Sequence, residues 1–544
     1  MGLGDTGVQL SGSGDWAGGP ATWARGRAFL GGELLDAAAL ARMFEAAADP
    51  TALADLARSL TGHFAVMGRG PAGPFAVVDR SRSFPVFFSA DGGKLLLSDS
   101  PYELPGSDSV PAPRDALVDF AYAGYVTGDA TLLGGVREVP AASILTHAAD
   151  GSVLATYDAY EPTRHGVLGE ADDVLLEMAH SALAEAIGRL VTVLDGRTLV
   201  LPLSAGYDSR LLAMMVKLSG YDRVQCFSYG VLGNHESRVS ESVAEALGFE
   251  WHFIEYGAQQ WAEWTRSEAW SDYARMAHLG VALPLMQGWP SAGEIRRRQL
   301  VPDDSVFCPG LFGDVGAGLF ARGDLLREVP PTRLDVAETI VASAHSLWWT
   351  EPARSRDLRG VAERIAASLA SDEFATTEAA AAAFESWIWR ERQAKFIGNA
   401  TRVYEYWGYD WWLPFGDEAV FSFWQQVPYS RRVDKPLYGR LVLESIPDRL
   451  GAPRDSILRQ PKSSDRSARR LARALDKTGL LRAARNRLRS QPTPETVYES
   501  HPLAWWGAVD RDVFLSRYTG KETVYSFMTD ELLARQYGWV RGTE

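Results

Sequence analysis

Two hydroxyls and a carboxylate gather in the stretch LPLSAGYDSRLLAMM, Leu201 to Met215. Ser204, Asp208 and Ser209 surround two small residues, Ala205 and Gly206. Set between a strand and a helix, such a loop aims unpaired backbone N–H groups and the positive helix end at one point. With the hydroxyls beside them, these groups make a site for an oligophosphate. The competing reading is an ordinary strand-to-helix turn with Asp208 as its cap.

The flanks provide the elements that would position these groups. RTLVLPLS reads as a short buried strand, and SRLLAMMVKLSG repeats apolar residues at helical spacing until Gly220. Further on, RVQCFSYG and EWHFIEY read as strands with the helix ESRVSESVAEALG between them. Strands alternating with helices predict a doubly wound parallel sheet, in which ligands bind at the carboxyl ends of the strands. Upstream, GHFAVMGRG, GPFAVVDRS and FPVFFSADGGKLLLSDS predict antiparallel sheet, followed by a hairpin around Asp150 and Gly151. From about Thr332 the chain reads as mostly helical and rich in Trp. The fold class expected is therefore α/β together with α+β, divided into residues 1–165 and 166–544.

At 544 residues the chain exceeds one core. Its 55 basic and 69 acidic side chains give a net charge of −14, which argues against non-specific nucleic-acid binding. No apolar run reaches the roughly 18 to 20 residues that cross a bilayer, and the first residues lack a signal-peptide pattern, so a cytoplasmic location is expected. The two cysteines, Cys226 and Cys308, read as small buried residues. His235 and His252 read as polar loop and strand residues without partners at ligand spacing, and the tryptophans from Trp387 to Trp412 as helix packing.

SAGYDSR resembles the S-G-G-x-D-S pyrophosphate loop of the asparagine synthetase superfamily, with Ala205 in place of a glycine. Four further stretches follow in that family's order. YGVLGNHESRVSESVAEALGFEWHFIEY places Glu236 where an acidic residue opens the helix after the adenine-contacting strand. VFCPGLFGDVGAG is similar to the second phosphate-side motif and places Asp314 on the metal aspartate. YEYWGYDWWLPFGDE keeps Pro414, Phe415 and Asp417 of a third signature, and ILRQPKSS places Lys462 on the catalytic lysine. The resemblance implies an ATP and pyrophosphate set of Leu203, Ser204, Ala205, Gly206, Asp208, Ser209, Ser228 and Gly310. It also implies Mg2+ on Asp208 and Asp314, and Lys462 as the catalytic residue. Taken singly, Asp208 reads as a cap, Asp314 as a turn residue and Lys462 as one surface lysine among others.

The upstream part resembles the same family's glutaminase domain, an N-terminal-nucleophile hydrolase, but Gly2 follows Met1 where the family has a cysteine. β-Lactam synthetases share that loss. The resemblance thus implies an ATP-dependent ligase that forms AMP and pyrophosphate. It would activate a carboxylate as its adenylate and join it to an amine without hydrolysing glutamine. The alternatives are an inactive relative acting as a binding subunit and an ammonia-dependent asparagine synthetase. The expected partner is a small-molecule or peptide substrate carrying both a carboxylate and an amine; a homodimer is compatible with this reading, and neither nucleic acid nor a membrane span belongs to it. One departure stands out. Leu311 occupies the place where amide-forming members often carry a proton-handling residue, and Glu405 and Tyr404 are the candidates to replace it, with Lys435 as the alternative to Lys462.

Overall fold

A computed structural model describes residues 7–451 and 493–541, apart from 12–13, 48, 72, 92–93, 108–109, 149–150, 164–165, 314–317, 319–320, 327, 349–353 and 370–372. It is a mixed α/β structure containing a four-stranded, a seven-stranded and a five-stranded sheet.

The upstream part is sheet-dominated, as its alternating runs require. Strand Leu60–Gly70 is the centre of the seven-stranded sheet, pairing antiparallel with Thr22–Leu30 on one side and Gly73–Val78 on the other. Its period-two pattern is apolar on both faces. Phe64 and Val66 belong to one core cluster with Leu40, Phe44 and Leu53 of helices Ala37–Glu45 and Pro50–Ser59, while Ala65 and Met67 belong to the larger cluster. That larger cluster also takes in Phe87, Phe88, Leu95 and Leu97 of the four-stranded sheet. The expected hairpin is present as Ser143–Ala148 against Gly151–Thr156.

The downstream part is built on the five-stranded sheet, ordered Glu250–Glu255, Val224–Gly230, Leu199–Pro202, Val306–Phe307 and Asp410–Trp411, with every pairing parallel. The strand of this sheet that comes first in the chain, Leu199–Pro202, lies in the middle. The next two strands are laid to one side and the last two to the other, so strand order reverses beside it. The last two strands are each two residues long, too short to show a period in the sequence.

Helices dominate after Thr332, beginning with Arg333–Ala344 under a Thr332 capping box. The alanine-rich run forms helix Thr377–Trp387, which continues as a π-helix over Ile388–Ile397. Within that π-helix, Lys395 is completely buried and lies 2.8 Å from both Glu391 and Glu138, and Glu138 pairs in turn with Arg82 at 2.5 Å. This buried network ties the upstream sheets to the helices, and one hydrophobic cluster runs from Val8 to Leu533 across residue 165. No helix among the described residues is long and apolar enough to cross a membrane.

Candidate functional site

The loop after Leu199–Pro202 sits at the carboxyl end of the central strand, where strand order reverses, and open parallel sheets bind ligands at that point. Helix Tyr207–Leu218 begins two residues earlier than the sequence suggests, and its cap is Gly206 rather than Asp208. The capping role for Asp208 is thereby removed. Its half-buried carboxylate stands in the first helical turn and accepts a hydrogen bond from the Tyr438 phenol.

The loop closes on its own side chains. Ser204 N donates to Ser209 Oγ at 3.1 Å, Gly206 N to Ser204 Oγ at 3.1 Å, and the two serine hydroxyls lie 3.0 Å apart. Ala205 N donates to the Glu236 carboxylate at 2.6 Å. The expectation of unpaired loop amides is therefore corrected: Ser204, Ala205 and Gly206 each have an acceptor from the chain itself. One of these acceptors is an anion, as a phosphate oxygen would be. Below the loop, Arg210 is 2% exposed and donates from Nε to Gly206 O at 3.0 Å. Burial lowers its pKa.

A second loop, following Val306–Phe307, meets the first across the reversal point. A Cβ on Gly310 would stand 2.9 Å from Ser209 N, and one on Gly313 would stand 2.9 Å from Asp208 Cγ. At Gly310 the close atoms are backbone, so only glycine permits the approach there, whereas at Gly313 the Asp208 side chain would have to shift. Between them Phe312 is held at φ +74°, an uncommon backbone conformation for a bulky residue, with its ring 4.9 Å from Trp389. Leu311 is half-buried. Asp314 and Lys462 lie outside the described residues.

The structure thus brings Ser204, Ala205, Gly206, Asp208, Ser209 and Gly310 together. Ser228 is buried on the neighbouring strand at the level of the loop, because Leu203 N donates to Phe227 O at 2.8 Å. Leu203 can offer only its backbone carbonyl, since its side chain is 2% exposed within the core. Glu405 is committed elsewhere: Arg25 lies 3.0 Å from it, Arg402 2.7 Å, and Trp411 Nε1 donates to it at 2.8 Å. Tyr404 stacks on Phe307 at 4.7 Å, and burial raises its pKa. Lys435, in the left-handed conformation at φ 59°, has its ammonium 6.0 Å from the Tyr438 ring. The alternative lysine therefore stands one side chain from Asp208.

Other expectations meet plainer outcomes. Asp417 caps helix Glu418–Gln426 and pairs with Arg189 at 2.7 Å, a structural post. Both cysteines are buried, and desolvation pushes the Cys226 thiol up to about 12 and the Cys308 thiol well above its ordinary value. His235 opens helix His235–Leu247 instead of lying in a loop, and His252 lies in strand Glu250–Glu255. Trp387, Trp389, Trp411 and Trp412 are all buried, whereas Trp407 is partly exposed.

Sequence reasoning missed Tyr438, which no motif marks, and the contact of Glu236 with the loop. Among the described residues no group of three or more His, Cys, Asp or Glu converges on a metal position, and Asp208 is the one described member of the expected pair. No family model matches the chain, and no curated protein matches it.

Proposed function

We propose that the chain is an ATP-dependent ligase that forms AMP and pyrophosphate, activating a carboxylate and joining it to an amine without hydrolysing glutamine. The observation that carries this reading is the meeting of two glycine-bearing loops at the strand-order reversal, with Gly310 against Ser209 and Gly313 against Asp208. The upstream part would then be a glutaminase-like domain without its thiolate, and the downstream part an ATP-pyrophosphatase domain.

The site's own groups support phosphate binding. Helix Tyr207–Leu218 presents its positive end to the loop, and the Ser204 and Ser209 hydroxyls can turn from each other toward phosphate oxygens. An anion able to replace Glu236 on Ala205 N would find a donor already in place. Mg2+ fits the hard oxygen of Asp208, with Asp314 as the second ligand by resemblance, and would neutralise the triphosphate and leave its α-phosphorus open to the acid. The Tyr438 phenol donates to Asp208 and holds its carboxylate in place beside the loop. Charge on the pyrophosphate would be met by Lys462 by resemblance, or by Lys435 from its place beside Tyr438. Neither buried cysteine can supply a thiolate for glutamine.

A second reading, a binding subunit without catalysis, draws on the same Glu236 contact, because a loop whose amides are already filled has less need of a ligand. The test is a screen of carboxylic acids for acid-dependent ATP–pyrophosphate exchange. Exchange with any of them supports the ligase. Tight ATP binding without exchange or AMP release supports the subunit.

A further inference from the structure

Apart from the loop site, a cavity of about 890 Å3 opens between helix Glu268–His278 and helix Val524–Tyr537. Its floor is apolar. Trp270 and Leu283 are buried there, and Met528 and Leu532 of the second helix are partly buried. Tyr102, from the upstream part, also lines the cavity, and the Arg275 guanidinium rests 4.3 Å above its ring.

The charges that line this cavity are three guanidiniums and two carboxylates. Arg535 pairs with Glu531 at 3.0 Å, one turn away on the same helix. The Asp510 carboxylate accepts from Asp512 N at 3.0 Å and Val513 N at 3.1 Å, as the cap of helix Arg511–Arg517. Arg266 donates to Ala262 O at 3.2 Å. His278 is buried with Nδ1 2.9 Å from Ala282 O, and burial pulls its pKa down to about 4, so it is neutral at pH 7. One positive charge is therefore in surplus. Among the described residues Arg275 has neither a carboxylate in ion-pair reach nor a hydrogen-bond acceptor, only the Tyr102 ring. The carboxylates on neighbouring segments have other neighbours: Glu268 and Asp272 act on the Tyr406 phenol, and Glu103 accepts from Gln9 Nε2 at 3.2 Å. None of the three lines the cavity.

We propose that this cavity binds an organic anion, a carboxylate carried on an apolar body of one or two rings. The carboxylate would lie on Arg275 and the body on the floor formed by Trp270 and Leu532. A guanidinium resting on a ring face keeps its in-plane N–H donors free, and two of them match the two oxygens of a carboxylate. Stacking on Tyr102 also restricts the side chain before the ligand arrives, which lowers the entropy lost on binding. A cation of the same shape meets the surplus positive charge and is rejected. A neutral ligand gains only the floor. The inference goes beyond the ligase reading and stands without it, because no residue of the loop site lines this cavity.

The test is calorimetric titration of the full chain, without nucleotide, using 2-naphthylacetate, 2-naphthylethanol and 2-naphthylethylammonium. Arg275 is exposed, so water limits the gain from its charge. The expected result is that the carboxylate binds about tenfold more tightly than the alcohol, with the ammonium weakest. Arg275→Met keeps the length of the side chain without its charge; it should remove the carboxylate's advantage and leave the alcohol unchanged. Ala274→Trp, which fills space in the cavity, should weaken all three ligands, and Arg275→Met decides the matter alone if that variant fails to fold. Equal binding of carboxylate and alcohol, carboxylate binding untouched by Arg275→Met, or no binding at millimolar concentration would overturn the proposal. Since ATP is absent throughout and Arg275 is no part of the loop site, failure here leaves the ligase reading where it stood.

Discussion

Glu236 Oε2 accepts a hydrogen bond from Ala205 N at 2.6 Å, so a carboxylate of the chain occupies a loop amide that a nucleotide phosphate would use. The two residues are 31 positions apart and belong to consecutive strand–helix units of the parallel sheet. A phosphate approaching that amide must displace an anion and tolerate its charge. Glu236→Gln should therefore tighten pyrophosphate binding by about tenfold, the effect of exchanging a charge-assisted acceptor for a neutral one. Calorimetry with pyrophosphate and Mg2+ checks this. Weaker binding in the variant would mean that Glu236 serves the nucleotide instead of competing with it.

A side chain at Gly310 or Gly313 is predicted to displace its neighbour in the first loop. Alanine at either position places a carbon 2.9 Å from Ser209 N or from Asp208 Cγ, and the first of these is backbone that cannot rotate away. Gly310→Ala should cost about 1 to 3 kcal/mol by overpacking, read from urea unfolding. Gly313→Ala should cost less stability, because the atom it meets is a side chain, but should lower ATP turnover by moving Asp208.

Much of this site was legible in the sequence, for physical reasons that can be named. The run RTLVLPLS, the small residues after it and the helical spacing beyond are local signals, and they placed strand, loop and helix within a residue or two of their observed ends. The competing reading of Asp208 as the cap rests on Asp being a favoured cap residue, and it fails because Gly206 already has the extended backbone that a cap requires. Tyr438 was invisible for a different reason. It lies 230 residues from Asp208, and only the packed fold brings the two together. The two-residue strands at Val306 and Asp410, and the π-helix at Ile388–Ile397, likewise leave no periodic trace.

Tyr438→Phe should leave the fold intact, because the ring remains packed near Trp424 and Tyr207 at 6.0 and 6.4 Å. It removes the phenol's donation to Asp208 and should reduce ATP turnover by about tenfold, the weight of one hydrogen bond to a charged group. Unchanged turnover would show that Asp208 needs no such support.

His63 sets an acid limit on stability. Its ring accepts from Leu413 N at Nε2, lies 2.8 Å from Ser83 Oγ at Nδ1, and has Arg27 and Asp410 as charged neighbours. Burial pulls its pKa from 6.5 down to about 3. The unfolded chain thus binds the proton more readily between those values. Stability from this group is present above 6.5 and is lost as pH falls toward 3. Between about pH 7 and about pH 5 the loss should be about 2 kcal/mol, and His63→Gln should lose correspondingly less over the same interval in urea unfolding. A parallel pH profile in the variant would count against this assignment.

The central claim is that Asp208 acts on the phosphates of ATP while a substrate carboxylate is activated. The direct measurement is exchange of labelled pyrophosphate into ATP, in the presence of the acid found by screening, for the wild-type chain and Asp208→Asn with matched circular dichroism. The expected result is acid-dependent exchange in the wild type and a loss of about a hundredfold or more in the variant, as removal of a charge aimed at the reacting centre produces. Equal exchange in the two proteins, or none in the wild type with any acid, would contradict the claim.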